Sequence, residues 1–157
     1  MKWLILLLIP MRIFADTGTF LHRAIEPARM GLDVSIVGEK VAAYVVVGAE
    51  SLEYLSDETD KQQVYQVLKE TAWFVLSVDA RCRVVDHSVH QQADRIKGFQ
   101  ILRCERPGKL KSIDVDLYNR IPALKAVDVW LTTERWQKKT TVYPDHTLVN
   151  IRSGMLP

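Results

Sequence analysis

The two cysteines of the chain, Cys82 and Cys104, are the feature that most constrains its fold. The runs that contain them, residues 81–85 and 98–106, are predicted to be two β-strands. If these runs pair antiparallel with Cys82 opposite Cys104, then Val84 lies opposite Leu102 in the same register. In an oxidising compartment this arrangement predicts a disulfide, which in the chain-entropy model stabilises the fold by about 3 kcal/mol.

A zinc site is the alternative interpretation of the same cysteines. Its ligands would be Cys82, His87, His90 and Cys104, since thiolates and imidazoles are common ligands of Zn²⁺. Zinc-binding thiols usually occur as C-x2-C pairs, and this chain has no such pair. The spacing favours the disulfide, and the zinc site stays as the alternative.

The N-terminus has the composition of a secretory signal peptide. Residues 1–15 read MKWLILLLIPMRIFA, with a cationic Lys2, an apolar run and a small residue, Ala15, where cleavage is expected. The apolar run is shorter than the roughly 20 residues that span a bilayer. A buried N-terminal strand or short helix is the alternative. We therefore predict export to the periplasm, with residues 16–157 forming one mature domain.

The charge of the mature domain excludes a general attraction to polyanions. The 157-residue chain has 21 basic and 19 acidic residues, a formal charge of +2. Lys2 and Arg12 belong to the predicted signal peptide, and 21 minus 2 leaves 19 basic against 19 acidic residues. A neutral domain has no overall electrostatic affinity for nucleic acid or anionic lipid. We expect no nucleic-acid partner and no stable membrane insertion after the signal is removed.

The apolar pattern predicts an α+β fold with a mainly antiparallel sheet of about seven strands. Residues 32–37 and 41–48 are rich in β-branched side chains on both sides of Gly38, which is typical of a β-hairpin. Capping residues and helical spacing predict one principal helix over residues 57–72. Further strands are predicted at residues 113–117, 126–132, 139–143 and 147–151.

The polar segment 87–97 between the two cysteines is predicted to be a loop. It supplies the candidate metal ligands of the chain, which are Asp86, His87, His90 and Asp94. Imidazoles and carboxylates on a flexible loop would bind Zn²⁺ weakly, because the loop must be ordered at the same time. A solvated loop without metal is the alternative. His22 and His146 are isolated and are expected at the surface or at a cap.

The sequence contains no motif of a known catalytic site, so we expect no enzyme activity. There is no Gly-x-Ser-x-Gly elbow, no phosphate-binding glycine loop and no metalloprotease helix. Trp130 and Trp136 fall on one side of a strand by their spacing, which predicts a role in the core or an interface.

Three segments of the second half resemble the ZrgA-like family of exported zinc-binding proteins. They read FQILRCERP at residues 99–107, LKSIDVDLY at 110–118 and IPALKAVDVWL at 121–131. The resemblance extends over about residues 31–151 and implies a periplasmic, non-enzymatic accessory protein that acts beside a zinc uptake system. Members typically begin with a His-x-His-Gly box and carry a long histidine-rich tract between the cysteines.

This chain lacks both histidine-rich segments, since its opening has only His22 and its tract only His87 and His90. The resemblance therefore implies a divergent member with weak or vestigial metal binding. The competing interpretation is a metal-free periplasmic interaction module that docks on a membrane or secretion partner.

Overall fold

The structure is a computed structural model that describes residues 28–56, 61–70 and 73–151. The predicted signal peptide, residues 1–15, lies outside these ranges. The described strands are β1 Arg29–Val37, β2 Lys40–Val47, β3 Phe74–Leu76, β4 Cys82–Gln91, β5 Ile96–Cys104, β6 Ser112–Val115, β7 Ala126–Thr133, β8 Gln137–Val142 and β9 Leu148–Asn150. The helices are α1 Ala49–Ser56 and α2 Lys61–Glu70, with single 3₁₀ turns at Val78–Ala80, Pro107–Lys109 and Leu117–Asn119.

The strands form a six-stranded sheet and a three-stranded sheet. The larger sheet has the order β4-β5-β2-β1-β7-β8, and the smaller has the order β3-β6-β9. Strand β1 pairs with β7 in parallel, and the other pairings of named strands are antiparallel. The predicted α+β class with a mainly antiparallel sheet is confirmed.

The hairpin of β1 and β2 forms where the sequence predicts it. Val37 pairs with Lys40, so Gly38 and Glu39 make the turn. Gly38 has a φ of +55°, a conformation that a residue without Cβ adopts at little cost. The alternation of the flanking residues places one set of side chains in the core and the other outside.

The six-stranded sheet has one face in the core, which we call the covered face. It packs against α2 and the smaller sheet in one cluster of buried residues. Covered-face side chains include Leu32, Val34, Val41, Ala43, Val45, Leu102, Val129 and Leu131. The opposite side, the open face, carries half-buried and exposed residues that include Asp33, Tyr44, Ser88, His90, Lys97, Phe99, Trp130 and Lys139.

The predicted principal helix is confirmed as α2, and a second, shorter helix, α1, was not predicted. Two helices are present in the described ranges, and the short α1 was missed because its 8 residues carry little periodic signal. Helix α2 lies inside the predicted range and buries Val64 and Leu68, which share one side at i, i+4 spacing. The predicted start at residue 57 and end at residue 72 lie outside the described residues.

Tyr118 links the segment before β7 to the end of β8. Its hydroxyl donates a hydrogen bond to the Val142 carbonyl oxygen. Burial raises the pKa of Tyr118 well above its ordinary value, so the phenol keeps the proton that it donates.

Candidate functional site

The segment that the sequence predicts as a loop, residues 87–97, is a hairpin of two long strands, so that prediction is wrong. Strand β4 continues to Gln91, and β5 begins at Ile96. Gln92 donates its backbone N–H to the Arg95 carbonyl oxygen at 2.8 Å and closes the turn. The segment lacks the apolar alternation of a strand because β4 is an edge strand, whose conformation is stabilised by pairing with β5.

His87 and His90 point to opposite faces of this hairpin. The pairing shifts by one residue between Val84 and Asp86, and beyond this bulge His87 lies opposite the buried Gln100. His90 lies opposite Lys97 on the open face. Residues three apart in a strand have opposite orientations, so these two imidazoles cannot bind one metal ion together in this conformation.

His87 lies on the covered face and contacts the C-terminal end of α2. Its Nε2 is 3.0 Å from the carbonyl oxygen of Lys69. Because a carbonyl only accepts, the hydrogen bond assigns the ring proton to Nε2. The other nitrogen, Nδ1, is buried and has no hydrogen-bond partner among the described residues. Neither nitrogen is therefore available to a metal ion unless the side chain leaves this position.

Trp73 also contacts the C-terminal end of α2. Its indole Nε1 donates to the Leu68 carbonyl oxygen at 2.9 Å, and its ring centroid lies 5.5 Å from that of His87. The last carbonyl groups of a helix have no partner within the helix, so side-chain donors stabilise its end. Trp73 and His87 supply two such donors, which gives His87 a structural role that its sequence position did not indicate.

Gly98 leaves the space that the Trp73 indole fills. A Cβ built at Gly98 would lie 2.5 Å from Cζ2 of Trp73, far closer than two carbon atoms approach without displacement. Trp73 has no exposed surface. The glycine therefore allows β5 to approach this ring directly.

The other candidate ligands lie apart from one another. Asp86 is exposed opposite Ile101, and His90 is exposed opposite Lys97 in the strand pairing. Asp94 is in the turn with its carboxylate 2.6 Å from the Arg95 guanidinium, whose hydrogen bond lowers the pKa of Asp94. Across residues 28–56, 61–70 and 73–151, no group of three or more His, Cys, Asp or Glu side chains is arranged to hold a metal ion.

The cysteines form the predicted disulfide, with an S–S distance of 2.00 Å. Cys82 and Cys104 are direct partners across β4 and β5, and Val84 lies opposite Leu102 as predicted. The disulfide contradicts the alternative zinc site of Cys82, His87, His90 and Cys104, because disulfide sulfurs are not thiolate ligands.

Of the two isolated histidines, the structure describes one. His22 lies outside the described residues. His146 is exposed in a turn, where its backbone exchanges hydrogen bonds with that of Tyr143. This position agrees with the predicted surface role.

A row of side chains that no local sequence pattern signals crosses the open face. Successive strand partners place six residues in one line, which we call the aromatic row: Ser88, Phe99, Tyr44, Asp33, Trp130 and Lys139. Trp136 is not part of it, because it lies in the turn before β8 and packs against the core. The prediction of one shared side for Trp130 and Trp136 is wrong, since the turn separates them. Only the pairing of all six strands could have revealed the row.

Comparison with known families places the fold in context. A family model described as ZrgA family zinc uptake protein matches residues 32–151. No curated protein matches the chain. No helix among the described residues is long and apolar enough to cross a membrane.

Proposed function

Because the chain belongs to the ZrgA family of zinc uptake proteins, we propose that it is a periplasmic, non-enzymatic accessory protein of a zinc uptake system. The family match carries this proposal, since it extends from β1 to the end of the last strand. The disulfide supports export, because such bonds persist in oxidising compartments. The partner would be a periplasmic component of the uptake system.

A deletion strain tests the proposed role. We expect its growth to be impaired when zinc is chelated and restored by added zinc but not by added iron or manganese. A gene copy without residues 1–15 is expected not to complement, because its product stays in the cytosol. Growth that is insensitive to zinc limitation would contradict the role, and complementation by the shortened copy would contradict the export step.

Zinc binding by this domain is proposed to be weak, with an affinity that is micromolar or weaker. His90 is the more exposed of the two histidines, but its cross-strand partner is the positively charged Lys97, which disfavours a cation on this part of the face. Of the other predicted ligands, Asp86 lies four residues before His90 along β4, and Asp94 is already paired with Arg95. A site that gathers few ligands and must reorganise to use them binds metal poorly.

Calorimetric titration of zinc into singly substituted variants tests this site directly. His90→Ala is expected to weaken the binding, whereas His87→Ala is expected to leave it nearly unchanged in protein that is still folded by circular dichroism. Binding should also weaken as the pH is lowered, since an imidazole must be neutral to bind a metal. Equal binding in wild type and both variants would place the site elsewhere. An absence of binding in wild type would favour the metal-free interaction module.

A further inference from the structure

Four segments of the chain meet at one end of the six-stranded sheet, where β1, β5 and β7 end and β2, β4 and β8 begin. They are residues 37–40, 78–83, 103–111 and 134–138. The Gly38 N–H donates to the Glu134 carboxylate at 3.1 Å, and the Arg106 N–H donates to the Ala80 carbonyl oxygen at 3.0 Å. A shallow depression lined by Gly38, Gly108 and Glu134 joins these two pairs of segments. The four segments therefore form one continuous surface.

This surface, which we call the basic end, carries a concentrated positive charge. Its four segments contain nine lysine and arginine residues against four aspartate and glutamate residues, and the charged residues of both signs are exposed. The other described residues include eight basic and ten acidic residues. The neutral overall charge of the predicted mature domain thus hides a separation of charge. At close range the field of a protein depends on this distribution rather than on the net charge.

Most of the cations at the basic end have no anionic partner within the protein. Arg81 is paired with Glu105 at 3.8 Å. Arg103 is paired with Glu39 at 3.2 Å. The side chains of the other seven form no ion pair or hydrogen bond with any residue that the structure describes. These seven exposed cations are therefore available to an anionic partner.

The spacing of these seven cations favours an extended partner over a small anion. They are distributed from Arg83 on β4 to Lys138 on β8, the two edge strands of the larger sheet. With neighbouring strands about 4.8 Å apart, six strands span about 24 Å. A single phosphate or carboxylate ion contacts only the few donors that converge on it, whereas a surface with many phosphate groups can contact all seven.

The composition of the basic end favours a lipid surface over a protein partner. Four of the seven unpaired cations are lysines, a residue type that is depleted at protein–protein interfaces. Such interfaces are usually centred on a buried aromatic anchor, but Trp136, the aromatic residue of these segments, packs against the core of the domain itself. Lysines on exposed turns suit phosphate headgroups, which move to meet the cations and require no single fixed geometry.

Two exposed valines lie among these cations. Val37, which is 55% exposed, is the strand partner of Lys40, and Val78 is 85% exposed. Val78 follows Ser77, whose hydroxyl oxygen accepts the Lys111 N–H at 3.0 Å. Apolar side chains beside lysines are typical of surfaces that bind a bilayer, because apolar burial adds to the attraction of cations for anionic headgroups.

We propose that the basic end binds the surface of an anionic phospholipid bilayer. Its unpaired lysines and arginines contact the lipid phosphates, and Val37 and Val78 enter the headgroup layer. The binding is peripheral and electrostatic, so it requires no insertion of the chain into the membrane. It goes beyond the proposed role in zinc uptake and does not depend on it.

Sedimentation with lipid vesicles tests the proposal on the exported protein purified from the periplasm. The protein is expected to bind vesicles of phosphatidylcholine with about one third phosphatidylglycerol, and not vesicles of phosphatidylcholine alone. Raising the NaCl concentration from about 0.05 to 0.5 M, which shortens the Debye length about threefold, should release the bound protein.

A triple variant with Arg106→Gln, Lys109→Gln and Lys111→Gln removes three unpaired cations from one exposed segment. Each cation near an anionic surface contributes roughly fivefold, so we expect the affinity for the anionic vesicles to fall about 100-fold. A double variant with Lys109→Arg and Lys111→Arg keeps both charges and should bind like wild type.

The matched control carries Lys69→Gln, Lys125→Gln and Lys139→Gln, which remove the same charge from exposed positions outside the basic end. Its affinity should stay within about threefold of wild type, because charges far from the bound surface are screened. Circular dichroism checks that both triple variants are folded. The proposal is overturned if wild type does not bind the anionic vesicles, if it binds neutral vesicles equally well, or if the two triple variants lose the same affinity. Binding to soluble polyglutamate but not to vesicles would also overturn it, in favour of an acidic protein partner.

Discussion

The covered and open faces of the six-stranded sheet carry the same kinds of residue in different roles. On the covered side Trp73 packs against Gly98 and His87, and the Trp73 and His87 rings hydrogen-bond to carbonyl groups at the end of α2. On the open face Trp130 lies next to Gly31 and is 38% exposed, and His90 is exposed. A tryptophan, a glycine and a histidine are thus packed in one place and available in the other. The face of the sheet to which a residue points, rather than its residue type, decides which of them stabilise the fold.

Substitution of a glycine on each face is expected to give the largest difference in stability between the two faces. In Gly98→Ala the new methyl group would lie 2.5 Å from the fully buried Trp73 ring, so we expect a loss of about 3 kcal/mol or more in the free energy of unfolding. In Gly31→Ala the methyl group would lie 3.6 Å from Trp130, an ordinary contact, and the change should stay within about 1 kcal/mol. Urea unfolding of both variants measures the two values, and similar losses would remove the distinction between the faces.

The disulfide is expected to contribute about as much. It ties the edge strand β4 to β5, and replacing both cysteines with serine should lower the free energy of unfolding by about 3 kcal/mol. Denaturation of the wild type with and without a reductant should show the same difference, and the double variant should not respond to the reductant. If the thiols of the folded, air-exposed protein react with an alkylating reagent, the bond is absent.

Substitution of the two histidines is expected to give the smallest difference in stability, between two positions of the same strand. His87→Ala removes a hydrogen bond to Lys69 and the contact with Trp73, which should cost about 1–2 kcal/mol. His90→Ala, three positions along the same strand, should change the stability by less than about 0.5 kcal/mol. Thermal unfolding of the two variants, compared in one buffer, checks this. A larger effect for His90 would mean that the faces are assigned the wrong way round.

Patterns within short stretches of the sequence predicted those parts of the fold that neighbouring residues determine. The hairpin around Gly38 follows from two β-branched runs and a turn, and the cysteine positions set the register of Val84 with Leu102. The polar end of β4 could not be predicted in this way, because Val89 is the one apolar residue among residues 86–91 and pairing with β5 holds the segment extended. The prediction of a flexible loop followed from that missing pattern.

The candidate site was less predictable than the fold for the same reason. A loop would allow His87 and His90 to converge, but a strand separates them to opposite faces. The hydrogen bond from His87 to Lys69 joins two segments through tertiary contact, and no spacing in the sequence signals it. The aromatic row needs the register of six strands at once, including a parallel partner far along the chain.

The parallel pairing of β1 with β7 has a consequence for how this domain can be made. A chain that emerges N-terminus first forms β1 with β2 early and then adds β5 and β4, yet one edge of β1 stays unpaired until residue 126 arrives. That edge exposes backbone groups that can recruit other chains, and such distant contacts slow folding. A truncation before β7 is therefore expected to yield an aggregation-prone remnant rather than a smaller domain, because only β7 closes that edge of β1.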